Sequence, residues 1–258
     1  MPVPSRPTTR QPIRKIYIVP NIVTTANMFC GFYSMVASIH NDFVGAAWGI
    51  LAAAVFDALD GRIARLARAT SRFGVEYDSL SDLLSFGMAP AILLYQSALE
   101  PFGRLGWMAA FLFVACGALR LARFNVTTEN LPKGYFQGLP IPGAAGMVAT
   151  FMIFAHELSL EVSRLIGVLI LTFGLASLMV STVRFPSFKE LNWRSKTSFG
   201  YLMIGVLCMI LIAVKPEITL FLLTCAYVGS SLVWNLWLLL KPAHDQPPHS
   251  ASGESPHA

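Results

Sequence analysis

Eight stretches of mostly apolar residues constrain this chain more than anything else in it. They fall at 17–39, 43–66, 78–99, 105–123, 139–158, 162–183, 198–214 and 217–240. An α-helix needs roughly 20 such residues to cross a ~30 Å hydrocarbon layer, so the expectation is an all-α, polytopic membrane bundle of eight transmembrane helices. Composition agrees, with 55% hydrophobic and 13% charged residues where a soluble domain carries about 25% charged. Only "VKPEI" separates the last two runs, with Pro216 as a turn breaker. A re-entrant hairpin over 198–240 is the alternative there.

Orientation follows from the cations, which concentrate in cytosolic loops. Of the 19 Lys and Arg residues, all but Arg104, Arg164 and Lys215 fall on one side of the eight-helix arrangement, together with both termini. That predicts an N-in, C-in protein of the cytoplasmic membrane. Residues 1–16 read as a cytosolic segment in which "RQPIRKIYIVP" is a candidate amphipathic surface anchor. Residues 17–240 read as one membrane domain, and the Pro-, Ser- and His-rich residues 241–258 as a disordered cytosolic tail. The formal charge of +5 is modest and no basic run is interleaved with aromatics, which argues against a nucleic-acid partner. Cys30, Cys116, Cys208 and Cys225 stand singly in apolar runs, a pattern of core packing rather than of metal or disulfide.

Against this background the stretch "DALDGRIARLARATSRFGVEYDSLSD", residues 57–82, is costly. It sets Asp57, Asp60, Asp78 and Asp82 at or near membrane depth, and each acid in hydrocarbon costs about 3 kcal/mol or more. Asp57 and Asp60 are three residues apart and Asp78 and Asp82 four, so each pair shares a helix face. At 1.5 Å per residue, Asp60 and Asp82 each lie roughly 26 Å from the outer end of their helices. Two antiparallel neighbours would bring all four carboxylates level, close to the cytosolic side.

Four carboxylates in one low-dielectric site repel one another unless cations neutralise them. An all-oxygen ligand set without His or Cys selects a hard divalent metal, Mg²⁺ or Mn²⁺ with Ca²⁺ as a further candidate. Such a site usually also takes phosphate from the substrate. Gly61 leaves space beside Asp60 for a ligand or a second helix, Ala64 keeps that face small, and Arg65 is placed to pair with phosphate. Gly74 reads either as part of this site or as a turn glycine before the third helix. His40 and His156 fall on the outer side and the other three histidines in the tail, so a general base here must be an aspartate.

The pattern Asp57-x2-Asp60-Gly61-x2-Ala64-Arg65-x8-Gly74-x3-Asp78-x3-Asp82 resembles the full signature of the CDP-alcohol phosphotransferases, and "PNIVT" at 20–24 resembles a further family element. The resemblance implies an integral membrane enzyme that binds CDP-diacylglycerol at a two-metal site and transfers its phosphatidyl group to an alcohol, releasing CMP. It implies Asp57, Asp60, Asp78 and Asp82 as metal ligands, with Asp82 also the proton acceptor. Asn21, Thr24, Gly61, Ala64, Arg65, Ser71 and Gly74 would then contact the CDP-diacylglycerol. A homodimer and a six-helix core are also implied, two helices fewer than expected here.

The acceptor is read from "RLARFNV" at 120–126, "GLPIPGAAG" at 138–146 and "RFPSFK" at 184–189, which resemble the serine-using branch of the family. L-serine is then the implied acceptor. Its carboxylate needs a cation, for which Arg120, Arg123 and Arg184 are candidates, with Asn125 and Gln137 for its ammonium or hydroxyl. The plainer account of these arginines is anchoring at the headgroup level, and of "GLPIPGAAG" a kinked helix start. Glycerol 3-phosphate, inositol or an inositol phosphate are alternative acceptors. An ion transporter is a remote alternative, since it would spread its acids along a pathway rather than cluster them on one side.

Overall fold

The computed structural model describes residues 18–66, 71–127, 135–162, 166–186 and 198–240. Helices α1 (Ile18–Ile39) and α2 (Phe43–Leu66) form an antiparallel pair. Asn41 closes the turn between them at a φ of 63°, a left-handed conformation that Asn tolerates. Asp42 then accepts the Gly45 N–H at 2.8 Å, capping the orphan donors of α2.

A continuous helical rod follows from Arg72 to Phe102. Its parts are α3 (Arg72–Asp82), a wide-turned stretch Leu83–Met88, α4 (Ala89–Leu94), a second wide-turned stretch Tyr95–Leu99 and a tight final turn Glu100–Phe102. In the wide turns the Ala89 N–H reaches back five residues to the Leu84 carbonyl, and the Glu100 N–H to that of Tyr95. Each stretch lies just before a proline, Pro90 or Pro101, whose missing N–H removes a regular helical bond. Wide turns of this kind concentrate at functional sites, and the first begins directly after Asp82.

Gly103, at a φ of 54°, turns the chain into α5 (Arg104–Thr127). There follow α6 (Ile141–Glu157), α7 (Ile166–Val180), α8 (Ser198–Val214) and α9 (Pro216–Leu240). Helix α6 is central: Ala144, Ala145, Met147, Val148, Ala149, Met152 and Ile153 are all buried, and α2, α4 and α9 pack around it. A helix apolar on every side belongs inside a bundle. Five described segments, 21–39, 43–63, 72–102, 104–126 and 216–235, are long and apolar enough to cross a membrane.

Three expectations need correction. The third helix starts at Arg72 rather than 78, because the Ser71 hydroxyl accepts the Gly74 N–H at 2.9 Å as an N-cap. Gly74 therefore lies in the first turn of α3 and is not a turn glycine ahead of it. Helix α5 runs on to Thr127, so Arg120, Arg123 and Asn125 occupy its last turns. Finally, β1 (Tyr135–Gln137) pairs antiparallel with β2 (Arg184–Pro186), Gln137 standing opposite Arg184. These strands are too short to show a period in sequence. Their exit is fixed by Gly138, whose φ of 77° and closeness to the Met179 and Ser181 carbonyls leave no room for a Cβ. Leu139 is buried and its N–H bonds the Leu178 carbonyl at 3.0 Å, so "GLPIPG" is a clamped helix start on the end of α7.

Candidate active site

The site is organised by α1, whose polar residues form one buried stripe. Thr24, Asn27, Ser34 and Ser38 are all buried, with Gly31 between them at matching helical spacing. Thr24 donates to Asp60 Oδ2 on α2 at 3.0 Å, and Asn27, one turn on, donates to Asp82 Oδ1 on α3 at 3.3 Å. The return contacts come from the rod: the Ser81 and Ser85 hydroxyls each donate, at 3.1 Å, to the Thr24 and Asn27 carbonyls. At Gly31 a Cβ would come within 2.6 Å of Ser85 Cα. Glycine is what allows this approach of α1 to the wide turn.

Held in this way, α2 and α3 present their acids to one another. One carboxylate oxygen from each of Asp57, Asp60 and Asp78 lies within 4.8 Å of the others. Asp60 and Asp82 are buried, Asp57 and Asp78 partly so. Asp82 sits one turn beyond Asp78, within electrostatic range of all three. Among the described residues none of the four is in an ion pair; the pair that does form, Lys215 to Glu157 at 3.4 Å, is far along the helices. Asp78 Oδ1 is buried without a hydrogen-bond partner among the described residues. An orphaned carboxylate oxygen beside two further carboxylates fits a hard divalent cation, which takes oxygen ligands. The residues present therefore suit the metal that the sequence implied, with Asp57, Asp60 and Asp78 as the tight set.

The remaining site residues fall into three groups. Beside the acids, a Cβ built on Gly61 would meet nothing within 4 Å among the described residues, and one on Gly74 would lie 3.8 Å from Asn21 Oδ1. Among the described residues Gly61 thus borders open space. Asn21 also accepts through its carbonyl from Thr25 at 2.7 Å, and Thr25 in turn meets the Tyr77 hydroxyl at 2.9 Å. Ser71 spends its hydroxyl on the α3 cap. The side chains of Ala64, Arg65 and Arg184 lie outside the described residues.

On the α5 side Arg120 is within electrostatic range of Asp82, Tyr227 and Asp57, and its guanidinium lies 5.7 Å from the centroid of the Phe124 ring. Arg123 is partly buried one turn on. Asn125 is exposed and donates to Ser79 on α3 at 3.0 Å. Gln137 is exposed at the end of β1. Of the acceptor candidates, Arg120 alone is tied to the acids by a described interaction. Sequence reasoning missed Asn27, which donates to Asp82. Asn27 carried a usable signal, an amide in an apolar run three residues after Thr24.

Fold and site together define a multi-pass membrane helix bundle with a carboxylate centre suited to a divalent cation. The profile of the CDP-alcohol phosphatidyltransferase family matches residues 17–182, and the chain belongs to that family. It is 37% identical over 234 residues to the CDP-diacylglycerol–serine O-phosphatidyltransferase of Helicobacter pylori (strain ATCC 700392 / 26695), covering 89% of this chain and 96% of the relative. The enzyme of the same name from Bacillus subtilis (strain 168) is 36% identical over 172 residues, 67% of this chain and 92% of that one. An archaetidylserine synthase of Methanothermobacter thermautotrophicus is 36% identical over 181 residues, 67% and 72% of the two chains.

Proposed function

We propose that this chain transfers the phosphatidyl group of CDP-diacylglycerol to the hydroxyl of L-serine, giving phosphatidylserine and CMP. The observation that carries this is the three-carboxylate centre with Asp82 beside it, in a family member whose extended relatives are named for serine transfer. Asp57, Asp60 and Asp78 would hold the divalent ions, Mg²⁺ or Mn²⁺, two per site, with Asp82 completing the set. When bound, such ions neutralise charge on the diphosphate and on departing CMP.

The chain's own groups account for the rest. Thr24 and Asn27 fix the Asp60 and Asp82 carboxylates by donating to them. The open space at Gly61 admits the diphosphate, with Asn21, Thr24, Ala64, Arg65, Ser71 and Gly74 bordering the nucleotide side. Asp82 takes the proton of the serine hydroxyl as its oxygen bonds to the lipid-side phosphorus, and the bond from that phosphorus to CMP breaks. Arg120, in range of both Asp82 and Asp57, is the placed cation for the serine carboxylate. Arg123, Arg184, Asn125 and Gln137 are outer candidates. The positive-inside bias supports eight spans, both termini cytosolic and a cytosol-facing site in the cytoplasmic membrane. A homodimer is the expected assembly.

The deciding experiment incubates purified protein and CDP-diacylglycerol with L-serine, glycerol 3-phosphate or inositol in turn and measures CMP. Serine-dependent release is expected. Release with glycerol 3-phosphate but not with serine overturns the assignment.

A further inference from the structure

We propose that the hydrogen bond between Asn125 and Ser79 is a strut that sets the spacing of α3 and α5 where the acceptor alcohol meets Asp82. Asn125 is then a positioning residue that acts through Ser79, and not a contact for the substrate. The proposal rests on the reading of Asp82 as the proton acceptor for an alcohol at this site.

The two helices have a use for such a tie. Helix α5 packs against the wide-turned stretches of the rod and against α4, while α3 packs on α1. Among the described residues the packing of α5 on the rod therefore thins out toward the acid-bearing end. Burial follows the same course. On α5, Leu121 is buried and Asn125, one turn on and on the same face, is exposed. On α3, Asp82 is buried and Ser79, one turn nearer the helix start, only partly so. Across this interval Asn125 Nδ2 donates to Ser79 Oγ at 3.0 Å. Ser79 and Asp82 are three residues apart and so are neighbours on one face of α3, which stands the strut beside the acid.

The chemistry of the pair fixes its direction. The Ser79 hydroxyl donates to the Val75 carbonyl at 3.1 Å, four residues back along α3. Its one hydrogen is spent there, and what it offers a further partner is an oxygen lone pair. Only a donor can bond that oxygen, so the amide of Asn125 turns its Nδ2 toward α3. The resulting chain, from amide N–H to hydroxyl to backbone carbonyl, lets each bond polarise the next. It ties a side chain at the end of α5 to the backbone of α3. A single hydrogen bond adds little net stability, so its loss should show in the fit of the acceptor rather than in the recovery of folded protein.

The test is a double-mutant cycle in the purified, full-length protein, read as KM for each substrate. Ser79→Ala and Asn125→Ala should each raise the KM for L-serine about threefold or more, with the KM for CDP-diacylglycerol within about twofold of the parent. The double variant should be no worse than either single one, since both remove the same bond. Ser79→Thr keeps a hydroxyl able to bond the Val75 carbonyl and should stay within about twofold of the parent. A raised serine KM in Asn125→Ala alone overturns the strut, because Asn125 would then act without Ser79. Effects that multiply in the double variant, an unchanged serine KM in both single variants, or a Ser79→Thr as impaired as Ser79→Ala overturn it as well. If the parent releases CMP with another alcohol and not with serine, the reading of the acceptor fails by itself. The same cycle, read on the KM for that alcohol, then decides the strut.

Discussion

Asn27 on α1 donates to Asp82 on α3 across 3.3 Å, while its own Oδ1 stays buried without a partner among the described residues. With Thr24 donating to Asp60 on α2, a single helix grips an acid on each of its neighbours. The amide occupies one oxygen of Asp82 and leaves the other to receive a proton. Replacing Asn27 by Leu, similar in volume, removes the donor and leaves a buried carboxylate underbonded, which costs more than a missing surface bond. We expect Asn27→Leu to lower kcat at least tenfold, with folded protein still recovered from the membrane. CMP release and size-exclusion profiles measured together check this.

Asp82→Asn separates proton acceptance from architecture. The new amide oxygen still accepts from Asn27, so the contact between α1 and α3 is retained. A general base contributes about 10²–10⁴-fold, and serine-dependent CMP release should fall by at least 10²-fold while thermal unfolding in detergent is little changed. Turnover near the parent level would refute Asp82 as the proton acceptor.

Much of this arrangement was legible in sequence because it rests on local spacing. The runs at 17–39 and 43–66 match α1 and α2 to within a residue over the described residues, and the turn at Asn41 and Asp42 marks the break between them. The acid pairs at i, i+3 and i, i+4 could be placed on common faces before any packing was known. What sequence hid depends on partners distant along the chain. Gln137 and Arg184 meet in a two-stranded antiparallel ribbon of three-residue strands, too short for alternation to register. The wide turns after Asp82 answer to Pro90 and Pro101, whose effect on helix winding depends on the surrounding pack. Tyr227 sits in an apolar run that reads as any lipid-facing helix, and only the packing of α9 on α6 brings its ring to Gly143.

Metal removal should act on stability as well as on turnover. With three carboxylate oxygens within 4.8 Å and no described ion pair to balance them, the centre is held against its own repulsion when stripped. Chelation should abolish CMP release and lower the thermal midpoint, with Mg²⁺ or Mn²⁺ restoring both. Asp78→Asn removes a ligand but also one of the mutually repelling charges. It should therefore need at least tenfold more metal for half-maximal activity, while losing less thermal stability on chelation than the parent does. Metal titrations of CMP release, paired with melting curves with and without chelator, resolve the two effects.

The approach of α1 to the wide turn gives a prediction about packing alone. A Cβ at Gly31 would lie 2.6 Å from Ser85 Cα and 2.8 Å from Ser85 Cβ, and both are parts of the rod that cannot swing aside like a flexible side-chain end. Gly31→Ala must push the helices apart at a point between the Asn27–Asp82 contact and the buried Ser34. Overpacking of this kind costs about 1–3 kcal/mol, partly offset by the better helix propensity of alanine, about 1 kcal/mol. Because the displaced segment directly follows Asp82, activity should suffer more than stability. We expect a thermal midpoint lowered by a few degrees and kcat reduced at least tenfold. Gly146→Ala provides the comparison, since a Cβ there meets nothing within 4 Å among the described residues, and it should match or exceed the parent in stability. Equal kcat in Gly31→Ala and the parent would show that α1 and the rod can separate without disturbing the acids.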